Sequence, residues 1–427
     1  MKSTRKELMP GVLLTCVRTE KFKTGCLSIT LLSQLTRENA PSVALIPRVL
    51  RRGSALYPDM EAISRELDEL YGARIVPAVR KKGELQTMGF YADFVDDAFL
   101  PGGERILQKV VSFVGEILLR PATRGGLFLP AYVNSEKEKL LDEIRARVND
   151  KRSYSMQRLF ELMCFGEDYA VDRLGSEDEA ETITYRKLTR TYRDMLAQSP
   201  IHVFYAGSAD PITVERTVME ALDTLPRGNI DFDLGTDIRM NSIDEEYRYF
   251  DEEMNVTQGK LAIGYRLGDC MQNPDIAAIR VFNAVYGGSA TSKLFENVRE
   301  KLSLCYFASS GVDLHKGLMY VSSGIEFDKY EQARDEIFAQ LEAMRQGDIT
   351  DEEFEAAGKY VASSLRTVMD SPSMLEDFYL SHGILGQDCD PTELALLCEE
   401  VTKDELIEIA NSVQCDAVYF LRGGGDE

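Results

Sequence analysis

The chain contains no tryptophan and only three histidines, His202, His315 and His382. Histidine is the commonest metal ligand and the usual general base near neutral pH. No two of the three stand at i, i+4 spacing, so a helix-borne pair of imidazole ligands is excluded. His202 lies in the apolar run IHVFYAG, His315 in a loop and His382 after a helix, and each reads as a structural or surface residue. The eight cysteines (16, 26, 164, 270, 305, 389, 398 and 415) form no CxxC pair, which argues against a thiolate metal site or a disulfide framework. Reduced, mostly buried thiols are expected. No P-loop, no GxSxG and no Cys-His pairing is present, so the sequence gives no support to an independent enzyme of another class.

Long apolar runs are missing as well. Nothing approaches the roughly 18 residues of a membrane-spanning helix. The opening MKSTRKELMPGVLLTCV is polar where a secretory signal needs an apolar core. A cytoplasmic location follows as an expectation. Positive charge is in deficit too: 49 Lys and Arg stand against 71 Asp and Glu, a net charge of -22. Such a surface repels phosphate backbones and anionic lipid, so neither nucleic acid nor membrane is an expected partner.

What is present is a globular composition, 44% hydrophobic and 28% charged, over 427 residues. That length exceeds one ordinary core and predicts two or more domains. Strand-like alternation at 25–35 and 84–94 is interspersed with helical periodicity at 59–71, 105–119, 132–149, 185–197, 329–345 and 351–369. The expected fold class is α+β. An internal echo sharpens this: RGSALYPDMEAISRELDELYGA (52–73) lies over GGSATSKLFENVREKLSLCYFA (287–308), both reading as loop, helix, strand. A second echo pairs 183–208 with 401–424, each a Thr-capped helix running into an apolar strand. Two echoes in the same order predict duplicated domains over 1–225 and 256–427, joined by an Asp-, Glu- and Gly-rich linker at 226–255.

The stretch YGGSATSKLFENVREKLSLCYFASSGVD (286–313), then GLMYVSSG and the helix DITDEEFEAAGKYVASSL, resembles the second domain of the pitrilysin/insulinase metallopeptidases. The resemblance implies two homologous domains, each a mainly antiparallel sheet packed with helices, enclosing a chamber for unfolded peptide. Active members carry HxxEH on a helix: the two His share one face and bind zinc, and the Glu activates water. The Gly53-Ser54 turn sets the register here, so the motif falls on ALIPR, with Ala44, Pro47 and Arg48 in place of His, Glu and His. Zinc bound in the family's manner is therefore not expected on this chain.

Other parts of the pattern persist. Glu136 and Glu143, seven residues apart, match the acidic helix that completes the metal site in the family, although their spacing also suits a solvated face with Glu-Lys pairs. Arg48 is expected to supply these carboxylates with the charge a metal otherwise gives, in a close pair with one of them. Arg299 and Tyr306 keep the spacing of the Arg and Tyr that hold substrate and its developing oxyanion, with Gly287, Gly288 and Ser289 as the adjoining turn. Their bland alternative is a surface Arg and a Tyr packed at a helix end. The resemblance thus implies a subunit with no catalytic residue and no cofactor of its own. It would bind peptide and complement an HxxEH-bearing paralogous partner that holds the zinc, with homodimers possible in isolation. The rival expectation is a structural or peptide-binding assembly protein with no role in proteolysis.

Overall fold

A computed structural model describes residues 2–244 and 246–424. The chain divides into two compact units, and both are discontinuous in sequence. Unit 1 takes the residues up to Arg145 together with Val171–Gly235 and Ser371–Asp388. Unit 2 takes Ala146–Ala170, Thr236–Asp370 and the residues from Cys389 onward.

Unit 1 is built on a sheet of order β1-β2-β8-β3-β5-β4. Its strands are β1 (Lys2–Met9), β2 (Val12–Arg18), β3 (Thr24–Gln34), β4 (Arg74–Lys82), β5 (Leu85–Val95) and β8 (Ile201–Gly207), while β6 (Thr123–Arg124) and β7 (Leu127–Phe128) form a separate short ribbon. All neighbours are antiparallel except β2 and β8. Central strands such as IHVFYAG are buried along their whole length, which is why they read as continuous apolar runs rather than alternating ones. One face, carrying Leu14, Ile29 and Val203, packs on α1 (Ala40–Leu50) and α3 (Ile106–Leu119) in the main core. Around it lie α2 (Met60–Glu69), α4 (Pro130–Ala146), α6 (Glu177–Glu181), α7 (Tyr185–Gln198) and α8 (Pro211–Ala221). The opposite face is crossed by α12 (Pro372–Ile384): Phe204 stacks on Tyr379 at 5.8 Å and Ser28 Oγ donates to Glu376 Oε1 at 2.9 Å.

Unit 2 has a sheet of order β11-β12-β10-β13-β9. It comprises β9 (Arg248–Met254), β10 (Gly259–Arg266), β11 (Cys305–Asp313), β12 (Leu318–Ile325) and β13 (Gln414–Gly423), with only the β9–β13 pair parallel. Its helices include α9 (Ile276–Asn283), α10 (Tyr330–Arg345), α11 (Asp351–Val368), α13 (Pro391–Glu400) and α14 (Lys403–Ser412). The helix α5 (Lys151–Met163) lies against β10 and β13 so closely that a Cβ at Gly264 would stand 2.4 Å from Met163 Sδ. Glycine at that position is what lets the helix approach the strand.

The mixed α+β architecture, with sheets dominated by antiparallel pairing, agrees with the expected class. Both internal echoes correspond to repeated structure. Thr184 and Thr402 each cap a helix, accepting from Lys187 N and Glu405 N, and each helix runs into a strand, β8 in one case and β13 in the other. The expected boundaries differ from the observed units in two ways. Residues 146–170 belong to unit 2 and 371–388 to unit 1, so each unit includes one helix from the other half of the sequence. Within 226–255, read as linker, Arg248–Met254 forms strand β9.

A buried ionic cluster secures the segment after α5. Arg266, fully buried on β10, makes a fork with Glu167 (Nη1 to Oε2 3.1 Å, Nη2 to Oε1 2.7 Å) and donates through Nε to Asp416 Oδ2 at 2.8 Å. Lys316 stands 2.8 Å from Glu167, and Arg248 donates to Asp416 at 2.5 Å. Burial would push the Glu167 carboxyl up, but hydrogen bonds and charge from Arg266 and Lys316 outweigh it and hold the group below the usual carboxylate range.

Candidate functional site

The five positions that correspond to the family motif lie within α1, followed by the turn that includes Gly53 and Ser54. Ala44 is fully buried in the core, where an imidazole would need both more room and a polar partner. Pro47 sits inside the helix; it removes a backbone donor along with the carboxylate of the general base. Arg48, in the last turn of α1, donates from Nη2 to Glu143 Oε2 at 2.6 Å. The structure thus brings Arg48 and Glu143 together, as the charge argument requires.

Glu136 is held by two other cations. Arg52 Nη1 donates to its Oε1 at 3.3 Å and Lys139 Nζ to the same oxygen at 2.7 Å, while the Arg52 guanidinium lies 5.0 Å from the centre of the Tyr132 ring. Arg173 approaches Glu143 Oε1 at 3.8 Å. Arg52, Lys139 and Arg173 are participants the sequence reading missed. One had a signal: Lys139 follows Glu136 at i+3. Arg48, Arg51, Arg52 and Lys139 line, together with Glu136 and Glu143, a pocket of about 350 Å³.

A zinc ion does not fit this donor set. Three ligand or catalytic positions are Ala, Pro and Arg, and a dication would meet four like charges around two carboxylates already bound to cations. Among the described residues, no group of three or more His, Cys, Asp or Glu could hold a metal.

In unit 2, Arg299 lies on the π-helical segment Leu294–Lys301. Its guanidinium stands 4.7 Å from the centre of the Phe295 ring, and its Nε is 3.5 Å from Glu300. Tyr306 falls at a bulge in the edge strand β11, is 61% exposed, and donates to Glu326 Oε1 at 3.3 Å. Both side chains are therefore accessible and weakly held. Gly287 and Gly288 close the π-helical turn Ala284–Gly288, and a Cβ at Gly287 would lie 2.7 Å from both Leu294 Cδ1 and Ser310 Oγ. Gly287 thus serves packing first. Ser289 Oγ accepts from Thr291 N at 3.3 Å and ties the loop that follows.

The histidines take structural places. His315 Nδ1 faces Asp313 at 3.6 Å in the turn after β11. His382, expected beyond a helix, is instead buried within α12, its ring stacked on Phe378 at 3.8 Å. That helix is apolar on several sides and gave no clear 3.6-residue stripe, so its extent was not read from periodicity. His202 is buried on β8 with Nε2 2.9 Å from Thr15 Oγ1.

Such a fold, with a helix-borne motif emptied of its ligands, defines a class: a metallopeptidase homologue without the metal site. Comparison with known proteins makes the family explicit. Residues 182–359 match the family described as the peptidase M16 inactive domain. A Bacillus subtilis protein described as the probable inactive metalloprotease YmfF is 33% identical over 97% of this chain and 96% of its own length. A conserved protein of Enterococcus faecalis superposes with a TM-score of 0.88 at 28% identity, covering 100% of this chain and 99% of the other. A peptidase M16 inactive domain from Pseudomonas fluorescens shares the fold at a TM-score of 0.78 and 14% identity, covering 100% and 99% of the two chains. The chain belongs to the M16, or pitrilysin/insulinase, metallopeptidase family, as an inactive homologue.

Proposed function

We propose that this chain is the non-catalytic subunit of a two-chain metallopeptidase, binding peptide through Arg299 and Tyr306 while an HxxEH-bearing paralogue supplies zinc, water activation and the general base. The observation that carries this reading is the contrast between the two sets of positions. The positions for zinc chemistry hold Ala44, Pro47 and Arg48, and the remaining carboxylates are bound to arginines. Arg299 and Tyr306 stay exposed, held only by contacts of 3.3 Å or longer. A guanidinium can fork onto a peptide carbonyl or carboxylate and a phenol adds one further donor, which suits substrate holding without hydrolysis. Glycines 287 and 288 and Ser289 shape the adjoining turn.

The test is reconstitution. The chain is purified with a candidate HxxEH paralogue, and peptidase activity is measured for each protein alone and for the mixture. Activity in the mixture that falls at least tenfold with Arg299→Ala or Tyr306→Phe, about 1.4 kcal/mol in transition-state binding, supports the reading. Unchanged activity in both variants removes it, and a chain that forms only homodimers and retains no paralogue favours an assembly role.

A further inference from the structure

Four cations line the pocket of about 350 Å³ at the end of α1, and only two carboxylates line it with them. Arg48, Arg51 and Arg52 come from the last turn of α1 and the residues just after it, and Lys139 comes from α4. Their charges do not balance. Arg48 is bound to Glu143, and Arg52 and Lys139 share Glu136. Arg51, partly buried, makes no hydrogen bond or ion pair through its guanidinium among the described residues. Four positive charges against two negative leave an excess of two. The negative end of the α1 dipole offsets only about half a charge, and Arg173, 3.8 Å from Glu143 Oε1, adds to the positive side.

This excess stands out in a chain whose net charge is -22. Like charges gathered in a partly buried hollow repel one another more than in open water, because the effective dielectric is lower there. An anion relieves that repulsion. The negative charge of the whole chain works against extended polyanions, so the anion has to be small enough to enter the pocket alone. The charge count sets its valence: a monocarboxylate neutralises half of the excess and a dianion all of it. The donors set its shape, since a guanidinium fork matches pairs of phosphate oxygens and a Lys ammonium adds a point charge. Met60 and Pro77, the remaining lining residues, offer an apolar lip to any organic group the phosphate carries.

We propose that this pocket binds a small phosphate dianion, either free phosphate or a phosphomonoester, with Arg51 as its principal donor and Arg48, Arg52 and Lys139 contributing charge. All of these residues belong to unit 1, and the site uses neither Arg299 nor Tyr306. It therefore stands or falls separately from the proposed peptidase role and is tested on the chain without a partner.

Isothermal titration of the full chain with inorganic phosphate at pH 8, with ionic strength held constant by chloride, reads this directly. One-to-one binding with a dissociation constant below about 1 mM is expected. Arg51→Gln removes a charge that no carboxylate shares, so it should weaken binding about tenfold and leave the circular dichroism unchanged. Glu143→Gln should do the opposite and tighten binding about threefold or more, because it removes a like charge and releases Arg48. Lys359→Gln, the loss of an exposed cation in unit 2, should change nothing. Phenyl phosphate binding more tightly than phosphate assigns the site to a monoester, and equal or weaker binding assigns it to free phosphate. No phosphate binding by the full chain overturns the proposal. So does binding indifferent to Arg51→Gln, or weakened equally by Lys359→Gln. Should Arg51→Gln fail to fold, Glu143→Gln decides, and phosphate binding that it leaves unchanged or weakens overturns the proposal.

Discussion

Unit 1 and unit 2 each pair arginine with carboxylates, but the pairs have different physical standing. In unit 1 the Arg48–Glu143 pair occupies a pocket open to solvent, with side chains 21% and 43% exposed. In unit 2 the Arg266 side chain and its Asp416 partner are wholly buried, and Glu167 nearly so. The open pairs stand where water can do much of the work of neutralising the carboxylates. The buried cluster cannot be left to water, and its charges need one another. The comparison teaches that the Arg48–Glu143 pair can be lost at small cost to the fold, while the ionic attachment of residues 146–170 within unit 2 cannot.

The largest expected effect therefore lies in unit 2. Arg266→Met strands Glu167 and Asp416 with fewer cations in a buried setting, and breaking such a cluster is expected to destabilise by about 3 kcal/mol or more. Chemical denaturation monitored by circular dichroism reads this directly. A loss below about 1 kcal/mol would mean water enters the cluster and the contrast with unit 1 is false.

Acid provides a second way to break it. The folded carboxyl of Glu167 is held below its unfolded value near 4.3, so the unfolded chain takes up the proton first and stability rises with pH in this range. Its contribution is complete above the unfolded value and is lost as pH falls through the folded one. Glu167→Gln should be less stable than the natural protein at pH 7 and lose less on acidification from pH 6 to pH 3. Parallel stability curves for the two proteins would show that Glu167 is not the group being titrated.

Much of this was legible in the sequence. The six helices expected from periodicity coincide with α2, α3, α4, α7, α10 and α11 within a few residues at their ends; apart from α3, which is buried on most sides, each combines a buried stripe with a polar back. Membership of the family as an inactive homologue was legible for a different reason: it depends on which residues stand at a few positions, not on how they pack. What the sequence withheld was destination. Periodicity in α5 shows that one side is buried but not that its partner is the sheet carrying Gly264, and α12 has too little polar surface to show a stripe at all. The pairing of Glu136 with Arg52 was missed because Arg52 lies just beyond α1, where helical spacing stops being a reliable ruler.

The open pairs of unit 1 predict a smaller effect. A double-mutant cycle on Arg48→Ala and Glu143→Ala should give a coupling of about 0.2–1 kcal/mol, shrinking as salt rises toward 1 M, because exposed pairs gain little over hydrated ions and are screened. A salt-independent coupling of several kcal/mol would place this pair with the buried cluster.

The smallest effect on stability is expected where function is proposed to reside. Arg299 stacks on Phe295 at an exposed surface and Tyr306 makes one long hydrogen bond to Glu326, so Arg299→Ala and Tyr306→Phe should each change stability by no more than about 0.5 kcal/mol. Denaturation of the isolated chain measures this, and the result bears on the proposed role from an unusual direction. Residues kept for folding should reveal themselves in the isolated chain, as Arg266 is expected to. If Arg299 and Tyr306 prove dispensable there yet necessary once an HxxEH partner and peptide are supplied, their retention has no explanation within this chain's own stability. A stability loss above about 2 kcal/mol would instead make them structural and detach the proposed function from its strongest support.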